Sequence, residues 1–85
     1  MKKEEKLYIP LRLILAEHYV KTGEYITQKM LANELVEKRI FKNIHVAQNT
    51  LQYYMQGKRR PNDKVIEYLK KRFNKPVTEI IKIKT

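Results

Sequence analysis

Cysteine and serine are absent from this 85-residue chain, which has only one aspartate and two histidines. Without cysteine there is neither a disulfide framework nor a thiolate metal site. A serine or cysteine nucleophile is also excluded, and a metal site would need the distant His18 and His45 to converge. We therefore predict no catalytic site, no bound metal and no cofactor. The chain is expected to be neither an enzyme nor a binder of a small-molecule substrate.

Long apolar runs are lacking too, since the longest, Leu13 to Ala16, is far shorter than the roughly 20 residues that span a bilayer. The Met-Lys-Lys start leads into Glu4 and Glu5 and not into the apolar core of a signal peptide. These two features predict a soluble, cytoplasmic protein without a membrane partner.

Acidic residues are few beside the basic ones, nine against nineteen, so the net charge is +10. The excess is concentrated in residues 58–75, which hold eight basic and two acidic residues. Such a field attracts polyanions by releasing their counterions, but it does not distinguish DNA, RNA and anionic membrane. The charge therefore indicates a polyanionic partner, and the uncharged residues must identify which one.

Apolar residues recur at helical spacing along most of the chain. This pattern predicts an all-α fold, a single domain over residues 9–85 that follows a flexible arm at residues 1–8. Pro10 suits the first turn of helix one, whose apolar stripe runs to Gly23. Thr27 is a suitable N-cap for helix two, and Asn62 for helix four. The residues expected to face inward are Leu11, Ile14, Leu15, His18, Tyr19, Leu31, Ala32, Leu35, Val65, Ile66, Leu69 and Phe73.

Two segments allow alternatives. Residues of about 37–45 either continue helix two through Ile40, with a turn near Asn43, or form a loop that folds back onto the core. After Pro76, which ends helix four, Thr78 is expected to cap a short fifth helix. An edge strand is also permitted by the alternation of apolar residues there. The apolar residues Ile80, Ile81 and Ile83 either complete the core or form a dimer contact.

The most informative stretch is Val46 to Pro61, which reads VAQNTLQYYMQGKRRP. A helix here separates two faces at about 100° per residue. The packable side holds Val46, Ala47, Thr50, Leu51, Tyr54 and Met55, and the other side holds Gln48, Asn49, Gln52, Tyr53 and Gln56. Amides both donate and accept hydrogen bonds, as base edges in the DNA major groove require. An ordinary amphipathic helix also has a polar face, but that face is usually rich in Lys and Glu, so a DNA recognition helix is favoured.

Candidate phosphate contacts flank this stretch. Gly57 can take the positive φ that ends a helix, so Lys58, Arg59 and Arg60 follow where they can meet a DNA backbone. At the start of helix two, backbone amides and the side chains of Thr27, Gln28 and Lys29 can together bind a phosphate. Plain capping by Thr27 explains that second group without DNA.

Three segments, TQKMLANEL, VAQNTLQYYMQGKRRP and KVIEYLKKRFN, together resemble the phage repressor and Cro type of helix-turn-helix domain, often called XRE-like. The pattern consists of Thr27 and Gln28 opening helix two, Ala32 in its middle, Val46 and Leu51 in helix three, and Gly57, Lys58, Arg59, Arg60 and Pro61 after it. The resemblance implies a compact five-helix bundle of the lambda-repressor-like type whose third helix enters the major groove. It implies base contacts by Gln48, Asn49, Gln52 and Tyr53, and backbone contacts by Gln28, Thr50, Lys58, Arg59 and Arg60.

The chain departs from the family pattern in two places. Ala32 and Leu51 are 19 residues apart, where a turn of the usual 3–4 residues leaves roughly ten. An insertion of some nine residues, at about 37–45, therefore separates the two helices. Ala47 also occupies the position at which the family usually has a Ser or Thr cap, so we expect helix three to start elsewhere, with Asn43 or His45 involved.

These features predict a sequence-specific double-stranded DNA-binding protein. We expect a small transcriptional repressor of a phage, plasmid or other mobile element, bound as a homodimer to a palindromic site. A DNA-binding accessory factor in plasmid replication, conjugation or excision would have the same features. The alternative from another class is a protein-interaction module, such as a phage-encoded inhibitor, in which Ile40, Phe41 and Ile44 would matter and the amides would not.

Overall fold

The computed structural model describes residues 6–84, which form five helices and two short strands. In chain order these are β1 (Lys6–Tyr8), α1 (Leu11–Thr22), α2 (Gln28–Glu37), α3 (Ile44–Gln56), α4 (Asp63–Phe73), α5 (Val77–Ile80) and β2 (Lys82–Lys84). The Cα radius of gyration is 12.8 Å, close to the value of about 12 Å expected for a compact chain of this length. The prediction of a compact, mostly helical chain with five helices is confirmed for these residues.

Local capping fixes several helix ends. The Thr27 hydroxyl accepts a hydrogen bond from the Met30 backbone N–H at 3.1 Å, and the Asn62 side chain accepts one from the Lys64 N–H at 2.8 Å. Gly57 ends α3 with a φ of 73°, which glycine adopts without steric cost. The three predicted helix ends are therefore confirmed.

The strands β1 and β2 pair antiparallel, so the all-α prediction is wrong in this respect. Leu7 lies opposite Ile83, and Tyr8 lies opposite Lys82. The predicted flexible arm at residues 1–8 therefore overlaps a strand at residues 6–8, while residues 1–5 lie outside the described part of the chain. The pairing joins segments from opposite ends of the sequence, which no local pattern indicates.

The last helix differs from its prediction. It starts at Val77, directly after Pro76, so Thr78 lies inside it and is not its N-cap. Ile81 is extended, with a φ of −116°, and leads into β2, so the short helix and the strand occur in succession. Ile80 is buried and Ile81 packs against the core, whereas Ile83 is exposed.

The core joins side chains from every helix, and the most extensive contact between described helices is that of α2 with α3. Its fully buried larger members are Ile9, Leu11, Ile14, Leu31, Leu35, Leu51, Leu69, Ile80 and Val65. His18 packs as predicted, with its ring edge-on to Phe73 at 5.0 Å between centroids. Tyr19 was predicted to face inward, but it is half exposed and lies against the ring of Tyr25.

Candidate nucleic-acid interface

Helix α3 has one buried face and one exposed face. Ala47, Leu51 and Tyr54 are buried in the core, as the helical spacing predicts. The exposed face carries Asn49, Gln52 and Tyr53, with Gln48 and Gln56 partly exposed. No residue of this face is charged. The five polar residues therefore form one continuous row along α3, which we call the amide row.

In α3, Val46 differs from the helical-spacing prediction, and Thr50 follows that prediction but differs from what the family resemblance implies. Val46 was expected on the packed side but is 42% exposed. Thr50, which the family resemblance implies near the DNA backbone, is only 6% exposed and lies on the buried face. Its side chain is covered by the core, so it does not belong to the surface that a duplex could contact.

The start of α3 is set by Asn43. The Asn43 side chain accepts a hydrogen bond from the Val46 backbone N–H at 2.9 Å, and the helix begins at Ile44. Ala47 therefore lies inside the helix, and the expected shift of the helix start amounts to one additional N-terminal turn. His45 does not cap the helix. It is exposed, and its spacing of three and four residues from Gln48 and Asn49 puts it on the side of the amide row.

The insertion folds back onto the core. Helix α2 ends at Glu37, and the backbone N–H groups of Ile40 and Phe41 donate to the Leu35 carbonyl at 2.9 and 3.4 Å. The side chains of Ile40, Phe41 and Ile44 are partly buried against the core. Of the two predicted alternatives, the loop is therefore the one observed.

The end of α3 holds the segment Lys58 to Arg60 in place. The Lys58 and Gly57 N–H groups donate to the carbonyls of Tyr53 and Tyr54 at 3.0 and 3.3 Å, which is the Schellman arrangement. Beyond the cations, Pro61 is buried, and the Asn62 N–H donates to the Tyr54 hydroxyl at 3.2 Å. The three cations are thus exposed on a loop that is anchored at both ends.

Arg59 and Tyr53 connect this loop to the amide row. The Arg59 guanidinium lies 5.1 Å from the centre of the Tyr53 ring, within the range of a cation–π contact. Within residues 6–84, none of Lys58, Arg59 and Arg60 forms an ion pair. An anion that binds these cations therefore displaces no acidic partner from the described part of the chain.

The start of α2 lies beside the same row. Gln28 Nε2 donates to Gln52 Oε1 at 3.5 Å, at the upper limit of a hydrogen bond. The Thr27 side chain caps α2, which is the interpretation that does not involve DNA. Lys29, directly after Gln28, is exposed. The structure thus brings Gln28 to the amide row, with Lys29 following it at the start of α2.

The cations at and just after the end of α4 are different, because three of the four, Lys70, Arg72 and Lys75, form ion pairs. Arg72 contacts Glu34 at 3.0 Å and Glu24 at 3.3 Å, and Lys75 contacts Glu17 at 3.2 Å. Hydrogen bonds from His18 and Arg72 hold the pKa of the Glu24 carboxyl below its usual range. Arg72 thereby connects α4 to α2 and to the segment between α1 and α2, and Lys75 connects the segment after α4 to α1. This part of the positive charge stabilises the fold.

Burial and the hydrogen bond to Glu34 raise the pKa of Tyr68 to about 12. Tyr68 and Arg72, one turn apart on α4, both donate to Glu34 Oε1. The Glu34 carboxylate of α2 is thereby held by two groups of α4.

Arg12 was missed by the sequence analysis. It is exposed on the first turn of α1 and lines an open cleft of about 420 Å³ together with Gln52 and Gln56. A second cleft, of about 400 Å³, has Arg12 and Gln28 in its walls. Arg12 therefore lies beside the amide row. The signal in the sequence was a single cation inside the otherwise apolar segment LRLILA, which we treated only as a core helix.

Comparison of the chain with protein-family models, curated proteins and solved structures finds no match, so the resemblance rests on the sequence pattern alone. Every helix of residues 6–84 is too short or too polar to cross a bilayer. The same residues contain no group of three His, Asp or Glu side chains that could hold a metal ion.

Proposed function

We propose that this chain is a sequence-specific double-stranded DNA-binding protein of the helix-turn-helix type. The observation that carries the proposal is the exposed, uncharged amide row of α3, which ends at three exposed cations that form no ion pair with residues 6–84. Base edges are recognised by hydrogen bonds, and phosphates are bound by cations. A helix that binds a particular sequence therefore needs polar groups facing the bases and cations near the backbone.

In the proposed complex, α3 lies in the major groove. Gln48, Asn49, Gln52 and Tyr53 contact base edges, and Lys58, Arg59 and Arg60 contact one phosphate backbone. Gln28 and Lys29, at the start of α2, contact a further phosphate. Arg12 joins this set because it lines two clefts with glutamines of the same surface.

The proposed role is that of a small repressor of a phage, plasmid or other mobile element, which acts by occupying an operator. A single recognition helix covers only a few base pairs, so we propose that two copies bind the two halves of a palindrome. A protein-interaction module is less well supported, because the apolar residues Ile40, Phe41 and Ile44 that it would use are partly buried against the core.

The test is selection of bound duplexes from a random pool at about 0.15 M salt. The wild type is compared with a Gln48→Ala/Asn49→Ala/Tyr53→Ala variant, and the matched control is Asn33→Ala, which removes an exposed amide from α2. We expect the wild type and the control to select one inverted repeat, and the triple variant to lose it. Each amide contact should contribute about 1–3 kcal/mol of discrimination.

Two results would contradict the proposal. If the wild type enriches no sequence, its positive charge is generic and specific DNA binding is refuted. If the triple variant selects the same repeat as the wild type, DNA binding stands but α3 is not the helix that recognises the bases.

A further inference from the structure

Arg39 adopts a backbone conformation that arginine rarely takes. Its φ is 60°, in the left-handed region, in the turn that directly follows α2. The helices α1, α3 and α4 end on Gly23, Gly57 and Asn74, which suit that region. Among these four helices, α2 alone is therefore followed by a left-handed residue with a long charged side chain, at a cost in stability that glycine would avoid.

The turn around Arg39 is otherwise well anchored. The Arg39 N–H donates to the Val36 carbonyl at 2.9 Å, and the Ile40 N–H donates to the Leu35 carbonyl at 2.9 Å. Ile40 packs against the core, and Asn43 caps the next helix. The turn thus has a defined conformation, and its exposed side chains are presented from a fixed backbone.

The exposed side chains of this turn are mostly basic. Lys38, Arg39 and Lys42 are exposed, and none of them forms an ion pair within the described residues. Only one acidic residue, Glu37, lies in the same segment. Residues 37–43, from the last residue of α2 to the cap of α3, therefore carry an excess of two positive charges.

The length of α3 indicates where these charges would lie on a DNA duplex. The helix has 13 residues and is about 20 Å long, whereas the major groove is about 12 Å wide. Because the groove winds around the duplex, a straight helix of this length approaches one backbone near each of its ends. Lys58 to Arg60 occupy the C-terminal end, and Arg39 and Lys42 precede the N-terminal end.

We propose that Arg39 and Lys42 form a second phosphate-binding cluster, which contacts the DNA backbone on the side of the groove opposite to Lys58, Arg59 and Arg60. This assignment rests on the function proposed above. It gives the insertion a role in DNA binding, and it accounts for a strained arginine at a position that fits glycine.

The experiment measures the affinity of the full chain for its selected duplex, and for an unrelated duplex, over a series of salt concentrations. The test variant is Arg39→Gly/Lys42→Gln. The matched control is Lys21→Gln/Lys71→Gln, which removes two exposed cations that also lack ion pairs in the described chain. Each lost phosphate contact should reduce the slope of log K against log salt by about 0.9 and the affinity at 0.15 M salt by roughly 5-fold.

We expect the test variant to lose both contacts, so that the affinities for both duplexes fall in parallel and the slope decreases by about 1.8. The control should lose much less. Arg39→Lys should keep the wild-type slope, and Arg39→Gly should raise the urea midpoint of unfolding because it removes the strain. If the substitutions act on the fold alone, the midpoint changes while the slope stays at the wild-type value, and the second cluster is refuted.

The outcomes separate the two proposals. If the wild type binds its selected duplex but the test variant keeps the wild-type slope, the second cluster is refuted and the proposed function stands. If the control loses as much slope as the test variant, the effect belongs to the overall charge and the cluster is again refuted. If the wild type selects no duplex, the proposed function fails, and the cluster fails with it.

Discussion

Tyr54→Phe removes one hydroxyl from the interior of the protein and should loosen the loop at the end of α3. Tyr54 is 3% exposed, and its hydroxyl accepts a hydrogen bond from the Asn62 backbone N–H at 3.2 Å. That bond closes the loop of residues 57–61, which begins at the Schellman turn of Gly57. The Lys58, Arg59 and Arg60 side chains depend on this closure for their positions.

The magnitude follows from what the hydroxyl leaves behind. The phenyl ring keeps its packing, so no large cavity is formed, and the loss is that of one hydrogen bond to a backbone donor. Such a bond contributes about 0.5–1.5 kcal/mol, and a donor left unpaired costs up to about 3 kcal/mol when it is fully buried. Asn62 is exposed as a residue and the bond is only partly buried, so the range for the loss of one hydrogen bond applies and not the full burial penalty. We expect Tyr54→Phe to destabilise the fold by about 1 kcal/mol, or 4–8 °C in Tm.

The assay pairs thermal and urea unfolding with DNA binding. Tyr53→Phe is the control for stability, because Tyr53 is exposed and no hydrogen bond of the loop depends on its hydroxyl. Tyr54→Phe should lower Tm and weaken binding to all duplexes alike, since the loop contacts phosphates and not bases. A Tyr54→Phe variant as stable as Tyr53→Phe would show that the loop is held by other contacts. A change in the preferred base sequence would refute the separation of loop and amide row.

Three further predictions follow from single contacts. Asn43→Ala should cost about 1 kcal/mol in urea unfolding, because it removes the cap of α3, and an unchanged midpoint would show that packing alone sets that helix start. Arg59→Ala should reduce DNA affinity and its salt slope while leaving stability unchanged. Arg72→Ala should lower stability and leave DNA affinity nearly unchanged, because it breaks an ion pair with Glu34. Equal effects of the two substitutions on DNA binding would contradict this assignment. The folded-state pKa of Glu24 lies below its ordinary value of 4.5, so its contribution to stability is present above that pH and is lost as the pH falls through the folded-state pKa. Glu24→Gln should therefore make the urea midpoint less sensitive to acid, and a variant with the same acid dependence as the wild type would exclude Glu24 as the titrating group.

Features that depend on near neighbours were predictable from the sequence. The caps at Thr27 and Asn62 and the glycine at the end of α3 each act within three or four residues, and all three are found where the sequence indicates them. The buried side of α3 also follows its helical spacing, Val46 excepted. The start of α3 was expected to involve Asn43 or His45, because Ala47 cannot cap a helix, and Asn43 is the cap.

Features that depend on distant partners were not predictable in the same way. The pairing of β1 with β2 joins residues 6–8 to residues 82–84, and a short strand rich in lysine has no apolar pattern that could indicate its partner. Arg12 lies beside Gln52 only because α1 packs near the end of α3. The sequence also could not predict which cations form ion pairs, because Arg72 and Glu34, which form one, are 38 residues apart in the chain.

The positions of the cations relative to α3 determine how a protein with a net charge of +10 could distinguish one DNA sequence from another. Cations along the exposed face of α3 would attract every duplex equally, because the phosphate backbone is the same in all of them. Here the face itself is uncharged, and the cations at its C-terminal end and before its N-terminal end form no ion pair within the described part of the chain. In the proposed complex, the salt-dependent part of the affinity would then position the helix without distinguishing sequences, and the amides would supply the difference between them. It follows that raising the salt concentration should weaken binding to all duplexes while leaving the ratio between the best and the unrelated duplex nearly constant.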